Sequence, residues 1–164
     1  MATHQRSRES ILQGAKVVIT EVGSYESNML DIAARAEVSR ATIYNHFADK
    51  EEMMTAIVEF EIDRLIALAK ASADAESALY ALSREISEDE ALAKMVETDH
   101  DDIITLTTIT AHPLWSKVHR GLAEIFGNDE NTVGLILRWL IAQITSPLTE
   151  SQSKIQSSKL ISIL

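Results

Sequence analysis

The stretch from Asn28 to Lys50, NMLDIAARAEVSRATIYNHFADK, leaves the chain few ways to fold. Asn28 caps a helix, with Asp31 in the capping-box position, and Asp49 starts another with Glu52 three residues on. Between them a tight turn at Ala36-Glu37-Val38 leads to Ser39, which caps a third. The first of these helices buries Leu30, Ile32, Ala33 and Ala36. Two short helices joined by a turn of a few residues form a helix-turn-helix.

The helix that follows Ser39 carries the functional information. Ile43 and Phe47 are four apart, so they share one face, and Val38 enters from the turn beside them. At 100° per residue, Ala41 and Asn45 fall on the opposite side, with Arg40 and Tyr44 flanking them. That outward face holds one guanidinium and no acid. Arginine bonds guanine bidentately, asparagine does so with adenine, and an alanine methyl suits thymine. These four residues are therefore the expected base readers. Ser39, Thr42, His46 and Lys50 lie where the helix edge and the next N-terminus would meet phosphates. The plainer alternative is an αα-hairpin with a solvated face.

These residues resemble the DNA-binding domain of the TetR family of bacterial transcriptional regulators. That family's pattern runs roughly IA-x-x-AGVS-x-x-T-[LI]-Y-x-HF-x-x-KE-x-[LM]. Here it stands as Ile32-Ala33, Ala36-Glu37-Val38-Ser39, Thr42-Ile43-Tyr44, His46-Phe47, Lys50-Glu51 and Met53. The likeness extends back through Arg8, Ile11-Leu12, Ala15 and Gly23-Ser24-Tyr25, and covers roughly the first third of the chain. Glu37 departs from the glycine usual in the family. In a left-handed conformation it costs about 1 kcal/mol more than glycine. Ile19 stands where an aromatic is common and can fill the same core. The resemblance implies a homodimer, closed through a four-helix bundle of the last two helices, on a double-stranded DNA operator.

A net charge of −10 argues at first sight against nucleic acid. Residues 1–47 are nevertheless balanced, with five basic side chains (Arg6, Arg8, Lys16, Arg35, Arg40) and five acids. The whole acidic excess lies beyond them, as expected for a DNA-tolerant head on a DNA-averse body. The neutral head neutralises few phosphates, which implies modest non-specific affinity. With no cysteine, disulfides, thiol catalysis and thiolate metal sites are excluded. MATHQRSRES has no apolar signal region, and the longest apolar run, Val133 to Ile144, is interrupted by Arg138 and too short to span a bilayer. A cytoplasmic protein with no membrane partner is expected.

The expected architecture is all-α. A three-helix head over residues 1–50 is joined by a long helix 4, Lys50 to Lys70, to a helical effector-binding and dimerisation domain over 51–164. The first helix runs Arg6 to Val22 with Ile11, Ala15, Val18 and Val22 on one stripe, Gly14 weakens it, and Gly23 ends it. Further helices are expected over 74–86, 88–97, 101–126, 128–145 and 150–164, with Pro113 breaking the third of these. The segment 133–144 is apolar on nearly every face and needs cover beyond its own domain.

Tyr80, Met95, Trp115, Phe126 and Trp139 are candidates to line a pocket for a small apolar effector, the alternative being ordinary core packing. His100, His112 and His119, near Asp99, Asp101 and Asp102, invite a metal reading. The acids equally suit a helix N-terminus, so no metal or other cofactor is expected. Phosphate-cradling glycine loops, nucleophile elbows and HExxH are absent, so no enzyme is expected. The sequence reads as a transcriptional regulator, a repressor released from a palindromic operator by its effector. The alternative is an architectural or protein-regulated DNA binder of the same fold without an effector.

Overall fold

The structure, a computed structural model, describes residues 2–108 and 113–164. Among the described residues it is all-helical, with ten helices and no strand. These are α1 (Ala2–Glu26), α2 (Met29–Arg35), α3 (Arg40–His46), α4 (Lys50–Lys70), α5 (Ala75–Ser87), α6 (Glu90–Thr98), α7 (His100–Thr107), α8 (Pro113–Phe126), α9 (Glu130–Thr145) and α10 (Glu150–Ile163). None of them is long and apolar enough to cross a membrane. Pro113 is the first residue of α8, where its missing N–H is harmless.

The chain forms two compact units: residues 1–61 with 90–103, and residues 62–89 with 104–164. This division does not coincide with a boundary at residue 50. It falls inside α4 after Glu61 and returns α6 and the start of α7 to the first unit.

In the first unit, Ile11, Leu12, Ala15, Val18 and Ile19 of α1 pack with Ile32 and Ala33, Ile43 and Phe47, and Met53, Ala56 and Ile57. Ile19 fills the core as expected. Two residues of the expected stripes face outward instead. Leu30 is 50% exposed, because the stripe of α2 runs Met29, Ile32, Ala33, Ala36 and Leu30 lies a step off it. Val22 is 40% exposed although the period of α1 puts it on the buried stripe, and the helix breaks at the next residue, Gly23. Gly14 has a packing reason: a Cβ there would stand 3.0 Å from the Ala36 Cβ and backbone nitrogen. Its absence lets α1 and α2 approach closely.

Gly23 does not end α1 outright. The chain makes one non-helical step there, at φ 86 and ψ 173, and turns again as far as Glu26. A side chain at Gly23 would stand 2.4 Å from Thr98 Oγ1 and 2.5 Å from Asp99 Oδ2, so α6 occupies the space a side chain would need. Glu37 adopts the left-handed conformation that the turn demands, at φ 55.

The second unit has its own apolar core of Ala69, Ala78, Leu79, Leu82, Leu122, Val133, Ile136, Leu137, Leu140 and Leu160. It also has a polar seam between α5, α9 and α10. Ser83 donates to Gln143 Oε1 at 2.6 Å and bonds the Ser153 hydroxyl at 2.8 Å. Ser87 donates to the same Gln143 oxygen at 3.0 Å and accepts from Leu148 N–H at 3.1 Å. Ser83, Gln143 and Ser153 are buried, so each bond replaces one that water would otherwise supply.

Two stability changes follow. Glu37→Gly should raise unfolding free energy by about 1 kcal/mol by relieving the left-handed strain, read as a higher urea midpoint at unchanged slope. Gln143→Leu should lower it by about 1–3 kcal/mol, because Ser83 and Ser87 lose their shared buried acceptor.

Candidate nucleic-acid interface

α3 is positioned by one face and presented by the other. Ile43 is fully buried, and Phe47, its C-cap, is nearly so. Ser39 caps the N-terminus, its Oγ accepting from Thr42 N–H at 3.0 Å and sharing a 2.8 Å bond with the Thr42 hydroxyl. Asn28 caps α2 in the same manner, accepting from Leu30 and Asp31 N–H at 3.0 Å each while its amide donates to Asp31. Asp49 Oδ1 accepts from Glu52 N–H at 2.9 Å, and Glu52 reaches back to Ala48 N–H at 2.7 Å. Each capping residue expected from the sequence is in place.

The four expected base readers, Arg40, Ala41, Tyr44 and Asn45, are all exposed and share the outward side of α3. The Arg40 guanidinium lies 5.8 Å from the centre of the Tyr44 ring, one helical turn on. That cation–π contact orders a long side chain before any ligand arrives. With no acid between Ser39 and Phe47, the face offers donors, a methyl and an aromatic edge to whatever it meets.

The expected phosphate contacts divide. Ser39 and Thr42 sit at the N-terminus of α3, where the helix dipole favours an anion. Lys50 is tethered: its Nζ donates to the Tyr25 carbonyl at 2.7 Å, with two further ammonium protons left for other acceptors. His46 is turned inward towards α1. Its Nε2 lies 2.7 Å from Ser7 Oγ, and its ring centre 4.1 Å from that of His4. Nδ1 is buried with no partner. Because Ser7 already donates to the His4 carbonyl at 3.0 Å, Nε2–H is the donor to Ser7 and Nδ1 the bare nitrogen. The adjoining groove, about 480 Å³ in volume, is lined by Asp49, Glu51, Glu52 and Glu59 besides Arg8. An acid-lined groove repels phosphate, so the geometry speaks for a packing role for His46. Burial, with His4 and Arg8 close by, pushes its pKa below the ordinary value.

Sequence reasoning gave Asp99 no role beside α1, yet it is buried in the first unit. Its Oδ2 accepts from Ser24 N–H at 2.8 Å and from the Thr98 hydroxyl at 2.8 Å, and Oδ1 accepts from Tyr25 N–H at 3.1 Å. Burial alone would raise its pKa, but the bonds from Thr98, Ser24 and Tyr25 outweigh it and hold the carboxyl below its ordinary range. Asp102 Oδ2 accepts from the Ser24 hydroxyl at 2.5 Å. Asp99 and Asp102 thus serve the break in α1. No group of three or more His, Asp or Glu side chains placed to hold a metal occurs among the described residues. His112 lies outside them.

The candidate effector residues divide between the two units. Met95 packs on the core of the first unit, whereas Trp115, Phe126 and Trp139 pack on that of the second. α6 belongs to the first unit, which the sequence pattern did not reveal. Both indole N–H groups are already engaged, Trp115 with the Thr108 carbonyl and Trp139 with Gln156 Oε1, each at 2.9 Å. The Tyr80 hydroxyl makes a long 3.4 Å bond to Glu150.

The family model for bacterial regulatory proteins of the tetR family matches residues 11–57. Among solved structures, the TetR family repressor AlkX from Dietzia sp., implicated in biodegradation of n-alkanes, superposes with a TM-score of 0.66. It is 18% identical, over 95% of this chain and 91% of that one. Salmonella enterica GusR gives 0.64 at 16% identity, over 96% and 92%. FadR from Bacillus subtilis, in complex with stearoyl-CoA, gives 0.55 at 20% identity, over 94% and 96%. At these identities the likeness to solved structures is one of fold. A search of curated proteins finds no match.

The inward histidine sets a pH dependence for the head. Neutral His46 is the folded form, and unfolding lets it take up a proton at its ordinary value of 6.5. Its contribution is complete above pH 6.5 and is lost as the pH falls towards the depressed folded value. The thermal midpoint should therefore drop on acidification below 6.5. His46→Gln should flatten that part of the profile, and an unchanged profile in the variant would assign the dependence to another group.

Proposed function

Because this chain belongs to the tetR family of bacterial regulatory proteins, we propose that it is a homodimeric repressor that reads a palindromic operator with α3. A DNA-binding helix-turn-helix regulator is the secure part of that statement. The observation that carries the rest is the outward face of α3, four exposed residues suited to base edges on a helix anchored from behind.

In this reading α3 enters the major groove, with Arg40 and Asn45 bonding purine edges and the Ala41 methyl and Tyr44 ring filling apolar space. Ser39, Thr42 and Lys50 hold flanking phosphates and so set register. A seven-residue helix reads only a few base pairs, so a useful operator needs two heads on a two-fold axis. Leu135 on α9 and Ile155 on α10 are exposed, at 44% and 52%, and give a second copy apolar surface to cover. We place the protein in the cytoplasm as a binding protein without catalytic activity.

Release by a small apolar effector fits the partly buried Trp115, Phe126 and Trp139 of the second unit. It also fits FadR, a fold relative solved with stearoyl-CoA, whose acyl chain is apolar. To weaken operator binding a hundredfold, the effector must favour the released form by about 2.7 kcal/mol.

Selection from random duplexes should return one enriched palindrome. Arg40→Ala should cost about 1–3 kcal/mol on it and relax one position per half-site. Recovery of no enriched sequence by the wild type would overturn the reading. Sedimentation should show a dimer at micromolar concentration that Leu135→Glu with Ile155→Glu converts to monomer, and a monomeric wild type would remove the two-fold model.

A further inference from the structure

Tyr25 is held by its backbone alone. Its side chain is 80% exposed. Its N–H, however, donates to Asp99 Oδ1, while its carbonyl accepts from Lys50 Nζ. One residue thus carries a hydrogen-bonded path from the α6–α7 corner to the first residue of α4. The corner is rigid where the path begins: Asp99 is buried, accepts three bonds at 2.8–3.1 Å, and leaves no room for a side chain at Gly23. Asp99 also lies well beyond residues 11–57, the segment that matches the family's DNA-binding model. The 24–25 segment thus takes its backbone acceptor from a residue later in the chain.

We propose that Asp99 is a positioning residue for DNA binding, fixing the 24–25 peptide so that the Tyr25 carbonyl holds the Lys50 ammonium where it meets a phosphate. The proposal rests on the phosphate role given to Lys50 above. Without the carboxylate, the N–H groups of Ser24 and Tyr25 lose their acceptor just after a glycine at φ 86; the bonds from the Ser27 hydroxyl to the Ser24 carbonyl and from the Ser24 hydroxyl to Asp102 remain, but neither engages those N–H groups. The Lys50 tether then moves with it. The sign separates this from bulk electrostatics: removing a negative charge from the head favours DNA, so a loss of affinity requires a lost placement.

The test is a double-mutant cycle of Asp99→Asn and Lys50→Ala, with affinity for operator and for random duplex measured against salt. Each variant is first shown by circular dichroism to be folded at the assay temperature. Lys50→Ala should reduce the slope of log affinity against log salt by about 0.9, the loss of one phosphate contact. Asp99→Asn should produce the same reduction on both duplexes, and no further reduction in the Lys50→Ala background. A slope unchanged by Asp99→Asn, or losses that add in the double variant, would overturn the proposal while leaving Lys50 on its phosphate. A slope unchanged by Lys50→Ala would remove the phosphate role itself, and the proposal with it. If Asp99→Asn does not fold, Thr98→Val takes its place in the same cycle. It removes one of the three bonds to the carboxylate and should lower the slope in the same direction by a smaller amount.

Discussion

A helix of seven residues does not persist in water, because nucleation costs more than two turns of hydrogen bonding return. α3, the helix proposed to read DNA, is such a helix, and everything around it supplies the missing stability. Ile43 and Phe47 drive it against α1, α2 and α4, and Ser39 satisfies donors at its open end. Arg8 of α1 lies 5.3 Å from the centre of the Phe47 ring, so the anchor is covered by a cation as well as by carbon. The outer face is left free of structural duty. Substitutions at Arg40, Ala41 or Asn45 can therefore change what that face meets without changing whether the helix forms.

The local part of this arrangement was legible in the sequence. Asn28, Ser39 and Asp49 cap the helices they precede, and Glu37 takes the left-handed turn that its position in the motif required. Period and capping are short-range physics, and the residues that express them are neighbours. The remainder depends on partners far along the chain. Lys50 meets Tyr25, His46 meets Ser7, and Asp99 meets Ser24, at separations of 25, 39 and 75 residues. No pattern within a helix announces such pairs. Asp99 in particular resembled an ordinary helix-start acid. The one local hint was Gly23, a residue that permits both a left-handed step and a close neighbour, but glycine does not say which neighbour comes. The placement of Met95 was hidden for the same reason, since its helix returns to a unit whose other members end at residue 61.

The second unit shows a different way of specifying structure. α10 turns Ser153 and Ser157 inward with only Leu160 beside them as a buried apolar residue, so hydrophobic burial alone does not fix its register. Hydrogen bonding does. Ser153 bonds Ser83, Ser83 and Ser87 both bond Gln143, and the Arg84 guanidinium donates to the Leu148 carbonyl at 2.8 Å in the connection before α10. Sliding α10 by one residue would turn Ser153 away and leave buried hydroxyls without partners, at about 1–3 kcal/mol each. An apolar interior would tolerate such a slide far better. The seam thus fixes which residues of α10 face outward, and Ile155 is among them. Any surface that α9 and α10 offer to a second copy is set by bonds on their inner faces. Substitutions at Ser83 or Gln143, both buried, should then alter the proposed assembly as well as stability.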